Sequence, residues 1–234
     1  SWLEFRRVLF RSTIQQLDDN SVIRKLLAVR KGTKSYYYIL SASDVHLKCK
    51  DKWEDCILAE LDWDNIFLKP FKTTVDTKLR WFQFRIIHNI LSTNNFLSKI
   101  KLADSNLCTF CQCEVETISH LFWYCKHTQA FWKQFMELLN GKCPHIHNMN
   151  LDLQLVLFGL RENVKTDDVF DLLLLLAKFF LYKCKVLKNT INFNHYRNYI
   201  HDRYIIEKNI SFTNSHHDKF YKKWMLYHDV ANPK

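Results

Sequence analysis

A chain of 234 residues with 47% hydrophobic side chains can bury a core and is too apolar for a disordered tail. Its 34 Lys and Arg against 24 Asp and Glu leave a formal charge of +10, which favours polyanionic partners through phosphate neutralisation. Three Gly and three Pro exclude a turn-rich all-β fold, and eight irregularly spaced cysteines with no apolar signal segment predict reduced thiols and a metal site in a cytosolic and nuclear setting.

Residues 1–12 include Leu3-Glu4-Phe5-Arg6-Arg7-Val8-Leu9-Phe10-Arg11-Ser12, which resembles the translation of a sequencing-library adapter and is read as a scar. Residues 20–40 predict a short helix, a Lys31-Gly32-Thr33 turn and an aromatic segment. Trp53, Ile57, Leu58 and Leu61 recur at helical steps and predict a helix ending near Trp63-Asp64, with both tryptophans as core anchors. Leu79, Phe82, Ile86 and Ile90 mark the apolar stripe of a helix from about Thr77 to Leu91. Beside that stripe, Lys78, Trp81, Arg85 and His88 repeat at the same steps. They place cations and a ring on one face, as a nucleic-acid backbone with unstacked bases requires, or as an ordinary solvated surface beside a core tryptophan allows.

Gln129–Leu139 predicts an amphipathic helix stopped by Asn140-Gly141, followed by a polar loop carrying Cys143, His145 and His147. Asp168–Lys188 predicts a long helix, apolar almost all round in its first half and hence buried, with a basic end at Lys183, Lys185 and Lys188. Its apolar run, Leu172–Leu176 and Phe179–Leu181, is broken by Asp171, Lys178 and Lys183 and falls short of the roughly 20 residues of a membrane span. From Tyr196 to Lys234 aromatic and basic residues alternate, a pattern that fits either RNA wrapping or terminal helix packing. The fold class expected is mainly α, a helical domain with a small zinc-binding element.

The motif that carries chemistry is Cys108-x2-Cys111-x8-His120-x4-Cys125. A Cys-x2-Cys pair places two thiolates on one turn, and a soft set of four protein ligands suits tetrahedral Zn²⁺. A short hairpin is expected to hold Cys108 and Cys111. Cys113 is an alternative ligand at the Cys108-x4-Cys113 spacing, although the closer pair is preferred, and unligated core thiols are the remaining alternative. Four protein ligands close the shell, so one structural zinc and no metal catalysis are expected. The deaminase and zincin patterns are absent from the sequence.

The run Lys78-Leu79-Arg80-Trp81-Phe82-Gln83-Phe84-Arg85-Ile86-Ile87-His88, then Cys108-x2-Cys111, then Thr117-x2-His120-x-Phe122-Trp123-x-Cys125 and Phe131-Trp132 resembles a known family. It is similar to the zinc-binding region downstream of the reverse transcriptase in non-LTR retrotransposons of the long-interspersed-element type. The likeness covers about residues 53–135, and Trp53-Glu54, Leu61-x-Trp63 and Lys222-Lys223-Trp224 resemble its flanks. It implies the carboxy-terminal part of a polyprotein that also carries an endonuclease and a polymerase, an RNA-directed DNA polymerase as a whole. It further implies RNA or RNA/DNA-hybrid binding during target-primed reverse transcription, with the upstream polymerase domain as a partner and no membrane. No Tyr-x-Asp-Asp is present, and the Asp167-Asp168 pair is read as a helix cap, so the fragment is expected not to be an enzyme.

On this reading the chain divides into residues 13–75, an N-terminal helical segment, 76–140, the zinc-binding domain, and 141–234, a basic helical segment. The expected nucleic-acid contacts are Lys78, Arg80, Trp81, Arg85, His88, Lys99, Lys101 and Lys126. The competing reading is a zinc-stabilised scaffold that docks on the polymerase.

Overall fold

The computed structural model describes residues 48–54, 56–57, 61–140, 149–159, 168–213 and 217–231. The expectations for residues 1–12 and 20–40, for Gly141, for the Cys143–His147 loop and for Asp167 fall outside them. The chain forms two compact units, residues 1–51 and 52–234. The first contributes only the start of helix α1, Lys48–Glu54, to the described residues.

The second unit is helical, and its described residues contain no strand, as the scarcity of Gly and Pro predicts. Its elements are α2 (Trp63–Thr73), α3 (Thr77–Ile87), α4 (Asn94–Lys99), a π turn (His120–Tyr124), α5 (Lys126–Asn140), α6 (Leu153–Phe158), α7 (Asp168–Val186), α8 (Phe193–Thr213), α9 (His217–Trp224) and α10 (His228–Ala231). A 3-10 turn, Met225–Tyr227, joins the last two. No described helix is long and apolar enough to cross a membrane.

Helix α7 is the axis of this unit. Every residue from Val169 to Lys178 is buried, and α2, α3, α8 and α9 pack around it. One core runs from Trp53 to Ala231, with Phe82, Phe122, Phe131 and Phe170 at its centre. Side chains buried this fully contribute about 1.5–3 kcal/mol each, and the ring pairs Phe82–Phe122 and Phe131–Tyr196 add edge-on contacts. Both tryptophan anchors hold: Trp53 is fully buried and donates Nε1–H to the Ile87 carbonyl at 2.7 Å, while Trp63 is buried against Phe158.

Helix boundaries depart from expectation where a local cap overrides periodicity. The helix expected to end near Trp63-Asp64 instead begins there, because the Asp62 carboxylate accepts from the Asn65 N–H and opens α2. Helix α3 starts at Thr77 as expected, capped by Asp76, but stops at Ile87. Asn89 takes the left-handed conformation at φ 54°, and the Ile90 N–H returns to the Arg85 carbonyl. Ile90 therefore leaves the apolar stripe and is exposed, and Leu91 is buried in its place. Helix α7 ends in the same way on Lys188 at φ 53°. The terminal third packs as helices, with Tyr196, Ile200, Tyr204, Phe220, Trp224 and Tyr227 buried.

Candidate metal centre

The Cys108–Cys111 turn hangs on a minimal hairpin. Leu107 and Val115 form one isolated antiparallel bridge, the Cys108 N–H donates to the Glu114 carbonyl at 2.7 Å, and the Glu116 N–H donates to Asn106 at 2.8 Å. Within the turn the Gln112 N–H closes on the Cys108 carbonyl, with Gln112 left-handed at φ 55°. Backbone N–H groups of Phe110 and Cys111 point at the Cys108 sulphur.

The other two ligands come from the π turn. An α-helix would rotate residue 125 about 140° away from residue 120, at about 100° per residue. Here the Cys125 N–H bonds the His120 carbonyl at 2.9 Å, a five-residue step that returns Cys125 to the side of His120. Two side chains of α5 take carbonyls of the turn's buried edge: Thr128 Oγ1 donates to Leu121 at 2.8 Å and Trp132 Nε1 to Phe122 at 2.6 Å. The Thr117 hydroxyl accepts from the His120 N–H at 3.0 Å and fixes the turn's start.

The four ligand atoms of Cys108, Cys111, His120 and Cys125 lie within 4.8 Å of one another. Cys108 and Cys125 Sγ are 3.8 Å apart, and Cys111 Sγ lies 3.4 Å from His120 Nε2. With Zn–S near 2.3 Å and Zn–N near 2.0–2.1 Å, the edges of a tetrahedron are about 3.8 Å between sulphurs and about 3.6 Å between sulphur and nitrogen. The residues fit zinc. Cys113 is exposed and donates its thiol to the Cys111 carbonyl at 2.9 Å, outside the cluster.

Electrostatics agree with the geometry. Cys108 donates to Cys125, and that bond, with burial, pushes the Cys108 thiol far above its usual range. The same bond lowers Cys125, against the effect of burial, assisted by the His127 and Thr128 N–H groups that open α5. Both sulphurs would coordinate a metal as thiolates, so loading would displace the proton that Cys108 donates to Cys125. His120 presents Nε2 to the cluster, while its buried Nδ1 lies 3.1 Å from a Glu114 carboxylate oxygen, within ionic range but not aligned as a hydrogen bond. A carboxylate behind a ligating imidazole orients the ring and strengthens its basicity.

A buried carboxylate that the motif did not single out secures the centre. Glu116, fully buried, accepts from the Asn94 N–H at 2.8 Å and the Thr109 N–H at 2.7 Å. It also faces Lys185 Nζ at 3.6 Å, and Lys185 in turn donates to the Ser92 carbonyl at 2.8 Å. The cysteine turn, the start of α4 and the end of α7 therefore meet at one carboxylate. Lys185 belongs to the basic end expected of this helix, and Glu116 holds it buried. A Glu four residues ahead of a ligating His is a legible signal, whereas its pairing with a residue 69 positions later is not.

The expected nucleic-acid residues do not form a single row. Lys78, Lys99, Lys101 and Lys126 are exposed. Arg80 folds back, donating to the Thr74 and Phe71 carbonyls beneath its own ring contact with Phe71. Trp81, 44% exposed, stacks on Phe84 with centroids 5.1 Å apart, and Phe84 in turn meets His88 at 4.0 Å. Burial, aided by Lys52, lowers the His88 pKa, so that at neutral pH it is a neutral ring and not a cation. Arg85 leans the other way, 6.0 Å over the Tyr182 ring, with its buried Nε unpaired.

Three thiols and one imidazole gathered on a cysteine turn and a π turn make a cluster that could bind a metal. Residues 47–132 match the family described as zinc-binding in reverse transcriptase, a span that holds all four ligands and ends at Trp132. This part of the chain is thus similar to a zinc-binding region of reverse transcriptases. No curated protein matches the chain.

Proposed function

We propose that the chain is a non-catalytic accessory module of a reverse transcriptase from a long-interspersed-element retrotransposon. In this role one structural zinc shapes a surface that holds template RNA or an RNA/DNA hybrid during target-primed synthesis, within a cytoplasmic and nuclear ribonucleoprotein. The observation that carries this reading is the closed Cys108, Cys111, His120, Cys125 set inside the segment similar to reverse-transcriptase zinc-binding regions. Four protein ligands leave no open position for a reacting water, which supports a structural ion and zinc as its identity. Lys78, Lys99, Lys101 and Lys126 are exposed, and none is ion-paired among the described residues, as phosphate contacts require.

The second reading, docking on the upstream polymerase, draws on Leu68, Phe71 and Val75, which stand 55%, 48% and 85% exposed at helical steps along and just past α2. Binding of the zinc-loaded chain to RNA, DNA and hybrid probes at two salt concentrations separates the two. Phosphate contacts give an affinity that falls steeply with salt, with a slope that flattens in Lys78→Glu. Absence of binding at low salt would leave the docking reading in place.

A further inference from the structure

A cleft of about 1120 Å³ lies against the metal centre, between the cysteine turn, the outer face of α5 and the C-terminal end of α7. We infer that this cleft is the seat of a single unpaired nucleic-acid strand, with bases inside it and phosphates on its rim; the inference rests on the nucleic-acid reading above and specifies where and in what form the ligand binds.

The chemistry of the walls selects the ligand. Phe110 and Tyr182, both half-buried, supply ring surface to the lining, one from the cysteine turn and one from α7. Bases of any identity stack on such rings. Gln134 and Asn189 add amide groups, which offer a donor and an acceptor together and so match the edges of unpaired bases. The rim is basic. Lys188 lines the cleft, and Lys101 and Lys126 each immediately precede a residue that does. All three are exposed, and none forms an ion pair among the described residues.

A duplex buries its base faces and offers mainly phosphates and groove edges, so it cannot use a concave floor of rings and amides. Only an unpaired strand brings bases and phosphates together. The ring of Tyr182 that lines the cleft also faces Arg85 of α3, whose buried Nε has no hydrogen-bond partner, so a cation stands behind the stacking surface.

The test compares a labelled oligouridylate with an RNA duplex of equal length, each titrated against the zinc-loaded full chain by fluorescence anisotropy. Ala130 is an exposed α5 residue that lines the cleft, so Ala130→Glu sets a carboxylate against the bases and phosphates from a helix position that accepts Glu. Lys188→Asn removes a rim charge at a left-handed position that Asn accepts. The expected result is at least a tenfold loss of oligouridylate affinity in Ala130→Glu, less than a twofold change for the duplex, which does not enter the cleft, and a salt slope lowered by about one in Lys188→Asn. Melting temperature and zinc content should match the unsubstituted chain, which shows that the variants fold. If the unsubstituted chain binds the oligouridylate and both folded variants bind it equally well, the cleft assignment is overturned and the nucleic-acid reading stands. If the unsubstituted chain binds neither probe, both fail.

Discussion

Lys178 is enclosed on every side, with Nζ donating to Gln83 Oε1 and the Leu157 carbonyl at 2.7 Å each. Burial, reinforced by Lys69 and opposed by Asp171, pushes its pKa down from 10.5 to about 7. The unfolded chain therefore holds this proton where the folded chain does not, and stability rises with pH between about 7 and 10.5. That contribution is complete above the unfolded value and lost as pH falls through the folded one. Denaturant titrations of the zinc-loaded chain should show it gaining on Lys178→Met by a few kcal/mol from pH 7 to pH 10; parallel profiles would contradict this. Glu116 makes the complementary case. Glu116→Gln leaves the Lys185 ammonium buried without its counter-charge and should cost about 3–5 kcal/mol in the same assay. A loss under about 1 kcal/mol would mean that Lys185 escapes to solvent. Neither role was legible in the sequence, where Lys178 reads as a break in an apolar run and Lys185 as part of a basic end. Periodicity fixes which face a residue occupies, but not which partner waits on a distant helix.

Among the elements, α3 and α5 were legible because their apolar residues recur at helical steps, and α7 because its apolar run is too long for a strand and starts where the helix starts. The ligand set was legible as well, since Cys-x2-Cys and the His and Cys beyond it are close in sequence. The π turn was not, because nothing in His120-Leu121-Phe122-Trp123-Tyr124 marks a five-residue hydrogen-bond step; its support comes from Thr128 and Trp132 on the next helix. Thr128→Val keeps the shape and removes the donor to the Leu121 carbonyl, at an expected cost of about 1–3 kcal/mol and a faster release of zinc to a chromogenic chelator. Unchanged stability and release would show that the turn holds itself. Gly159 ends α6 at φ 84° and ψ −174°, a region open essentially to glycine alone, and an added Cβ would fall 2.8 Å from Lys69 Cδ and closer still to the Asp171 carboxylate. Gly159→Ala should therefore destabilise by at least 1–3 kcal/mol, roughly the cost of the backbone strain alone. A melting temperature within a degree of the parent would refute it.

For the unit spanning residues 52–234, the metal centre and the helical core are one construction. Leu121 and Phe122 of the π turn are fully buried among Phe82, Phe131 and their neighbours, and Glu116 joins the cysteine turn to α7. Metal removal therefore acts on two different parts. The turns at Cys108–Cys111 and His120–Cys125 meet the core through Phe110, Leu121, Phe122 and Trp123, and without a metal their thiols regain protons and their backbone loses its tether. Helices α3, α7 and α8 bury enough apolar surface of their own to persist. Treatment with a strong chelator, or the Cys108→Ser, His120→Ala double variant, should abolish a zinc content of one per chain. Hydrogen exchange should then rise across residues 107–132, while helical circular dichroism falls only modestly. The thermal transition should move down, because a ligand bound only by the folded state is withdrawn. Retention of full zinc in the double variant would refute the ligand set, and global loss of helix on chelation would show that the metal holds the whole core and not its edge. Cys125→Ser with zinc retained would instead bring Cys113 into the shell, a shift that requires its exposed thiol to leave the Cys111 carbonyl and turn inward.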